Sequence, residues 1–156
     1  MSAEAVLKAA RKAGLKIATA ESCTGGMVSA ALTDVAGSSD VFERGFVTYS
    51  NEAKAQMLSV REKTLQTYGA VSEEVAREMA LGALQHSYAT LAVSITGIAG
   101  PGGSEHKPEG RVCFGVAREG HVTTTETIEF GPIGRSEVRD ASRDYALRLL
   151  LKAAST

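Results

Sequence analysis

At 156 residues the chain has the length of one domain and can bury roughly two thirds of its unfolded surface without a disulfide or a metal to hold it. With 44% hydrophobic and 22% charged residues it carries too much apolar material for disorder, and 17 basic against 18 acidic side chains leave no cationic excess for broad nucleic-acid binding. Cys23 and Cys113 lie far apart and His86, His106 and His121 are scattered, so reduced thiols and no metal site are expected, and no run approaches the roughly 18 apolar residues of a membrane span.

Ser2 is placed to cap a first helix, with Glu4 in its opening turn, Val6, Leu7 and Ala10 along one side, and Gly14 as its stop. This amphipathic pattern over Met1 to Gly14 contains Lys8, Arg11 and Lys12, and so differs from an export signal, whose basic start leads into an apolar core. Leu15 to Ala20 predicts a first strand that runs into Glu21-Ser22-Cys23-Thr24-Gly25-Gly26, and Met27 to Val35 predicts a helix ending near Gly37. Gly45 to Tyr49 predicts a second strand. Ser50 or Asn51 then caps a short helix through Met57, Arg61 to Tyr68 predicts another, and Ser72 with Glu73 and Glu74 opens a longer one to about His86. Leu91 to Thr96 predicts a third strand, which empties into Gly97-Ile98-Ala99-Gly100-Pro101-Gly102-Gly103 and a polar loop to Gly110. Val112 to Ala117 and Val122 to Phe130 predict a hairpin about Glu119-Gly120. Ser136 to Ala153 closes the chain as a helix with Val138, Ala141, Tyr145, Leu149 and Leu150 on one face.

Strands separated by helices, then one hairpin and a last helix, predict a single α/β domain over residues 1–156. The expected architecture is a three-layer α/β/α sandwich on a mostly parallel, five-stranded mixed sheet with one antiparallel strand. Ligands of such sheets bind beyond the carboxyl ends of the parallel strands, where this chain carries Glu21 to Gly26, Tyr49 to Lys54 and Gly97 to Gly103.

Ser22 falls between a strand and a helix start, where the backbone N–H groups of Gly25 and Gly26 are expected unpaired. That suits a nucleophile with an oxyanion or phosphate site beside it. A purely structural role is the competing reading, with Ser22 or Thr24 as the N-cap of the helix at Met27. A serine nucleophile needs a base, and no histidine is well placed for it. Lys54, on the short helix beside Ala53, Ala55 and Met57, can serve if burial lowers its pKa and leaves a neutral amine. Tyr49 and Thr96, each at the end of its strand, are candidate hydrogen-bond donors to the same site.

Other patterns are set aside on local grounds. Ser104-Glu105-His106-Lys107 has the serine–lysine spacing of penicillin-recognising enzymes, but that spacing needs a helix, and Gly102, Gly103 and Pro108 predict a loop. Gly97 to Gly103 is neither a P-loop nor a dinucleotide fingerprint. Cys23 is either a thiol nucleophile or a small buried residue at a helix start. Arg135 and Arg139 either grip a phosphate or pair with Glu137 and Asp140 on the surface.

Taken together, Ala20-Glu21-Ser22-Cys23-Thr24-Gly25-Gly26, Tyr49-Ser50-Asn51-Glu52-Ala53-Lys54, Gly69-Ala70-Val71-Ser72 and Thr96 through Gly103 closely resemble the CinA C-terminal domain family, over nearly the whole chain. The resemblance implies a stand-alone member without the pyrophosphatase-type domain that precedes this one in two-domain relatives. It implies metal-independent, cofactor-free hydrolysis of the amide of nicotinamide mononucleotide to nicotinic acid mononucleotide and ammonia, in pyridine nucleotide recycling. Carried onto matching positions, Ser22 is the nucleophile, Lys54 its base and Tyr49 a helper that orients the lysine or relays a proton. Thr24, Thr96 and Gly97 complete the polar shell, Gly25 and Gly26 supply backbone donors, and Arg135 and Arg139 are candidates for the substrate phosphate. Arg111 departs from the small polar residue that relatives often carry there. The expected setting is cytoplasmic, with a small-molecule substrate, no nucleic acid or membrane partner, and a homodimer favoured among oligomers. Two other readings stand beside this one: a non-catalytic nucleotide-binding or competence-related regulatory module, and a serine–lysine amidase acting on a different amide.

Overall fold

The computed structural model describes residues 2–156; Met1, where the first helix was expected to begin, lies outside the described residues. Helix α1 (Ala3–Ala13) starts where the Ser2 hydroxyl accepts the Ala5 N–H at 3.1 Å, and it ends at Gly14 in the left-handed conformation. Strand β1 (Ile17–Glu21) is buried along its whole length, and α2 (Met27–Thr33) follows the glycine-rich turn. A 3-10 turn (Ser38–Asp40) leads to β2 (Phe42–Val47), and then come α3 (Asn51–Leu58), α4 (Glu62–Tyr68) and α5 (Glu73–Gln85). Strands β3 (Leu91–Gly97), β4 (Arg111–Arg118) and β5 (Thr124–Glu129) precede the closing helix α6 (Arg135–Ala154).

The described strands form one five-stranded sheet in the order β2-β1-β3-β4-β5. β1 runs parallel to both of its neighbours, and β4 alone runs against the rest. Helices α1, α2 and α6 cover one face, burying Val6, Leu7, Leu32, Val138 and Leu150 against Ile17, Val93 and Ile95. Helices α3, α4 and α5 cover the other, where Leu58, Val75 and Met79 pack on Ala18, Ala20, Phe46 and Ala92. The expected three-layer α/β/α sandwich is the fold observed.

The connections place the cleft. From β1 the chain passes through α2 on one face to β2 at the sheet edge, then returns through α3, α4 and α5 on the other face to β3, on the opposite side of β1. The loops leaving β1 and β2 therefore diverge to opposite faces and open a crevice between the carboxyl ends of these neighbouring strands, where Ser22 sits, with Thr96 at the end of β3 on the other side of β1.

Two strand boundaries and the buried face of one helix illustrate where the structure departs from the sequence expectation. β1 begins at Ile17 rather than Leu15, because the Leu15 N–H is still bound to the Ala10 carbonyl at the end of α1. β2 covers Phe42–Val47 rather than Gly45 to Tyr49: as an edge strand it tolerates Glu43 and Arg44, and the chain leaves the sheet before Tyr49 to begin α3. On α6 the buried stripe is Val138, Ser142, Ala146, Leu147, Leu150 and Ala154, whereas Tyr145 and Leu149 are only partly buried at its margin.

α3 carries the predicted base, and a glycine on α5 lets the two helices approach closely. A Cβ on Gly82 would lie 1.9 Å from the Leu58 carbonyl oxygen at the end of α3, a backbone atom that cannot rotate away. Gly82→Ala is expected to push the two helices apart and to cost about 3 kcal/mol of stability, measured by urea unfolding; a variant as stable as the parent contradicts this packing.

Candidate active site

Ser22 is the first residue past β1 and is held on both sides. Its N–H donates to the Ile95 carbonyl at 2.9 Å, while the Thr48 N–H donates to the preceding carbonyl, that of Glu21, at 2.9 Å. Lys54 comes from the opening of α3, whose N-cap Ser50 accepts the Ala53 N–H at 3.0 Å. The lysine Nζ lies 3.1 Å from Ser22 Oγ and 3.1 Å from the Tyr49 carbonyl oxygen, and the side chain is only 2% exposed. Both partners are neutral oxygens. Burial therefore dominates and lowers the Lys54 pKa from its ordinary value, with Cys23 and Glu105 opposing the shift. A neutral amine at Nζ, within hydrogen-bond distance of the Ser22 hydroxyl, is placed where a base for that hydroxyl would have to be.

The loop that carries Ser22 is fixed by two groups whose role the sequence did not show. Glu21 is fully buried at the end of β1. Its carboxylate accepts from the Val28 N–H (2.9 Å), the Ser29 N–H (2.9 Å), Ser29 Oγ (2.9 Å) and Thr24 Oγ1 (2.7 Å). These amides belong to the first turn of α2, whose N-cap residue, Gly26, offers no side chain. Glu21 thus caps α2 from the neighbouring strand, with its charge at the positive end of the helix. Neither Ser22 nor Thr24 caps this helix, so the structural reading of Ser22 as an N-cap does not describe it. From α6, Arg139 donates through Nε to the Cys23 carbonyl at 3.0 Å and through a terminal nitrogen to the Thr24 carbonyl at 3.4 Å. Its guanidinium braces the loop.

The remaining predicted residues divide by position. The Thr24 hydroxyl is spent on Glu21 and that of Thr96 on the Ala70 carbonyl at 2.8 Å, so both build the walls and neither directs its proton into the cleft. The Gly25 N–H, expected to be unpaired, donates to the Ser22 carbonyl at 3.1 Å, which leaves Gly26 as the donor of that pair. Tyr49 orients Lys54 through its main chain; its phenol points outward, 64% exposed, and its oxygen accepts from Arg135 at 3.2 Å. Arg135 also donates to the Gly100 carbonyl at 2.6 Å, placing a guanidinium on the exposed rim between two loops of the crevice. Gly97 closes β3 opposite Val112, whose side chain occupies the space a Cβ would need.

Ser104 and Lys107 lie in a loop, as expected, bridged through their backbones, and Lys107 Nζ donates to the Tyr68 and Val71 carbonyls at 2.6 Å each. Arg111 pairs with Glu129 across β4 and β5 at 2.8 Å, a structural use. Among the described residues no group of three His, Cys, Asp or Glu side chains is arranged to hold a metal, and no helix is long and apolar enough to cross a membrane.

Comparisons with known proteins bear on this geometry. Residues 1–154 match the family described as the CinA C-terminal domain. The nicotinamide-nucleotide amidohydrolase PncC of Escherichia coli K12 is 55% identical over 150 residues, covering 94% of this chain and 89% of that protein. A CinA-like protein of Chlorobium phaeobacteroides is also 55% identical, over 91% of this chain but only 35% of its own length. Among solved structures, the competence/damage inducible protein CihA of Agrobacterium tumefaciens is similar with a TM-score of 0.94 at 46% identity, covering 99% of this chain and 93% of that one.

Cys23 tests whether the nucleophile is the serine or its neighbour. Burial pushes its thiol up to about 11, so the thiolate is scarce at neutral pH. Cys23→Ala is expected to keep activity within about threefold of the parent, and the native protein to resist thiol reagents at pH 7. Loss of activity on alkylation of Cys23 in the folded protein contradicts this assignment.

Proposed function

The chain belongs to the CinA C-terminal domain family, and we propose that Ser22 and Lys54 are the nucleophile and base with which it hydrolyses the carboxamide of nicotinamide mononucleotide to nicotinic acid mononucleotide and ammonia. It is an amidohydrolase. The observation that carries the mechanism is the contact of a buried lysine amine with the Ser22 hydroxyl at 3.1 Å, at the strand ends where this fold opens its crevice.

Each step follows from that contact. Ser22 Oγ attacks the carboxamide carbon while its proton passes to Lys54 Nζ, giving a tetrahedral intermediate for whose oxyanion the Gly26 amide is the backbone donor we assign. The Lys54 ammonium returns the proton to the departing nitrogen, and ammonia leaves an ester on Ser22. Water then attacks the ester carbon with Lys54 taking its proton, and the Ser22 oxygen leaves and is reprotonated. Nothing in this cycle requires a change in charge that the protein must import. Arg135 on the rim is the cation we assign to the substrate phosphate, because its guanidinium is exposed at the mouth of the crevice, whereas that of Arg139 is half-buried against the Cys23 and Thr24 carbonyls.

Ser22→Ala is expected to reduce ammonia release from nicotinamide mononucleotide by about 10⁴-fold or more while leaving substrate binding within a few-fold, both measured with a chelator present. Turnover retained by that variant overturns the assignment, and a folded parent that releases no ammonia moves the chain to the non-catalytic binding module. For Lys54 the sign of the pH dependence is fixed. The neutral amine is the working form, so kcat/KM rises with pH through an apparent pKa below the ordinary lysine value of about 10.4. A lowered folded-state pKa also means that the unfolded chain binds the proton more readily, so stability falls as pH drops from about 10.4 towards the folded value. Lys54→Met is therefore expected to lose about 10³-fold in activity and yet to unfold at a higher temperature than the parent at pH 7; a variant with a lower Tm contradicts the burial cost.

A further inference from the structure

Beside the nucleophile lies a hydroxyl that the steps above do not use. Thr48 is fully buried, and its Oγ1 has no hydrogen-bond partner among the described residues. Buried hydroxyls are nearly always paired, because an unpaired one forfeits the hydrogen bonds that water would give it. The position of this one is defined by the sheet. β1 and β2 pair Ala20 with Phe46 and Glu21 with Val47, and the Thr48 N–H extends the ladder to the Glu21 carbonyl, so the next step sets Thr48 beside Ser22. On the other side β3 pairs Ile95 with Glu21, which sets Thr96 beside Ser22 in the same way. Side chains alternate along a strand, so Thr48 shares the face of Phe46, which packs with Leu58 of α3, the helix that carries Lys54. Of the two flanking threonines, Thr96 donates to the Ala70 carbonyl and Thr48 has no acceptor among the described residues.

Thr48 is thus next in the chain to Tyr49, whose carbonyl holds Lys54 Nζ, and next across the sheet to Ser22, whose hydroxyl holds the same nitrogen. We propose that Thr48 is a positioning residue for the proton transfer: its hydroxyl oxygen accepts the third N–H of Lys54 once that amine has taken the proton of Ser22. An ammonium has three N–H groups. One faces the Ser22 oxygen and then the leaving nitrogen, one faces the Tyr49 carbonyl, and the third needs an acceptor, because a buried cation with an unpaired proton is costly. The proton lost by Ser22 is gained by Lys54 and passed to the leaving nitrogen, while Thr48 keeps its own throughout. This inference rests on the Ser22–Lys54 mechanism.

The test compares Thr48→Val, which keeps the shape and removes the hydroxyl, with Thr48→Ser, which keeps the hydroxyl. Ser22→Ala and Lys54→Met are run beside them, with steady-state kinetics on nicotinamide mononucleotide and thermal unfolding. Thr48→Val is expected to lower kcat about 10- to 100-fold with KM within about threefold, the scale of one hydrogen bond to a charged group. Its Tm should equal or exceed the parent's, since the resting hydroxyl bonds to nothing, and Thr48→Ser should keep kcat within about threefold. Parental kcat in Thr48→Val overturns the inference, as does a raised KM at unchanged kcat. Equal loss in both variants, or loss accompanied by a lower Tm, overturns it too and assigns Thr48 to packing. If Ser22→Ala or Lys54→Met turns over normally, the Ser22–Lys54 mechanism itself falls, an outcome distinct from failure of the threonine alone.

Discussion

A primary amine without a carboxylate partner, buried against a serine hydroxyl, is the constraint on which this structure is organised. Taking an ammonium out of water is expensive, and two neutral oxygens do not offset it, so burial favours the uncharged amine at Lys54. Several features of the fold maintain that burial. Ser50 starts α3 at a fixed point, the Tyr49 carbonyl accepts from the amine, and Gly82 lets α5 pack directly against the Leu58 carbonyl at the end of α3. The helix that delivers the base is short, and its own amphipathic pattern is weak, so its place is set by these contacts more than by its sequence.

The Ser22 loop is fixed by different means. Ser22 is bounded by backbone hydrogen bonds to β2 and β3, and the loop after it is clamped between the Glu21 carboxylate on α2 and the Arg139 guanidinium from α6. Gly26, at a φ of 105°, permits the turn from strand to helix in the little space available. Four hydrogen bonds to one buried carboxylate make this loop rigid before any substrate arrives, which is how a site lowers the cost of orienting its reacting atoms. The two bracing groups come from elements far apart in the chain, β1 and α6, so the Ser22 loop is held by both the sheet and the helix layer over it.

Much of this was legible in the sequence because it depends on local pattern. The capping residues Ser2, Ser50 and Ser72, the buried third strand and the convergence of three glycine- or serine-containing loops at the strand ends all follow from spacing alone. Ser22 and Lys54 were identified as a pair by chemistry and by family resemblance, and the structure brings them into contact. What was not legible depends on tertiary contact. Glu21 stood in the sequence only as the first residue of the loop after the strand, although a turn with only Gly26 at the helix start was a signal that the cap had to come from elsewhere. Thr24 and Thr96 are the right residues near the right place, but which way a hydroxyl points is decided by the carboxylate or carbonyl beside it. Arg135 and Arg139 lie one helical turn apart on α6 and looked interchangeable; only the packed structure separates a rim cation from a loop brace. Thr48 carried no signal, since a threonine near the end of a strand is ordinary.

The claim on which the account depends is that burial keeps the Lys54 amine neutral enough to act as a base. It is tested most directly by NMR titration of the lysine side-chain amines in the resting protein, with the Lys54 resonance assigned by its absence from Lys54→Met. The account predicts a midpoint for Lys54 below the ordinary lysine value of about 10.4. A midpoint at or above that value would show a charged amine beside Ser22 and contradict the serine–lysine mechanism.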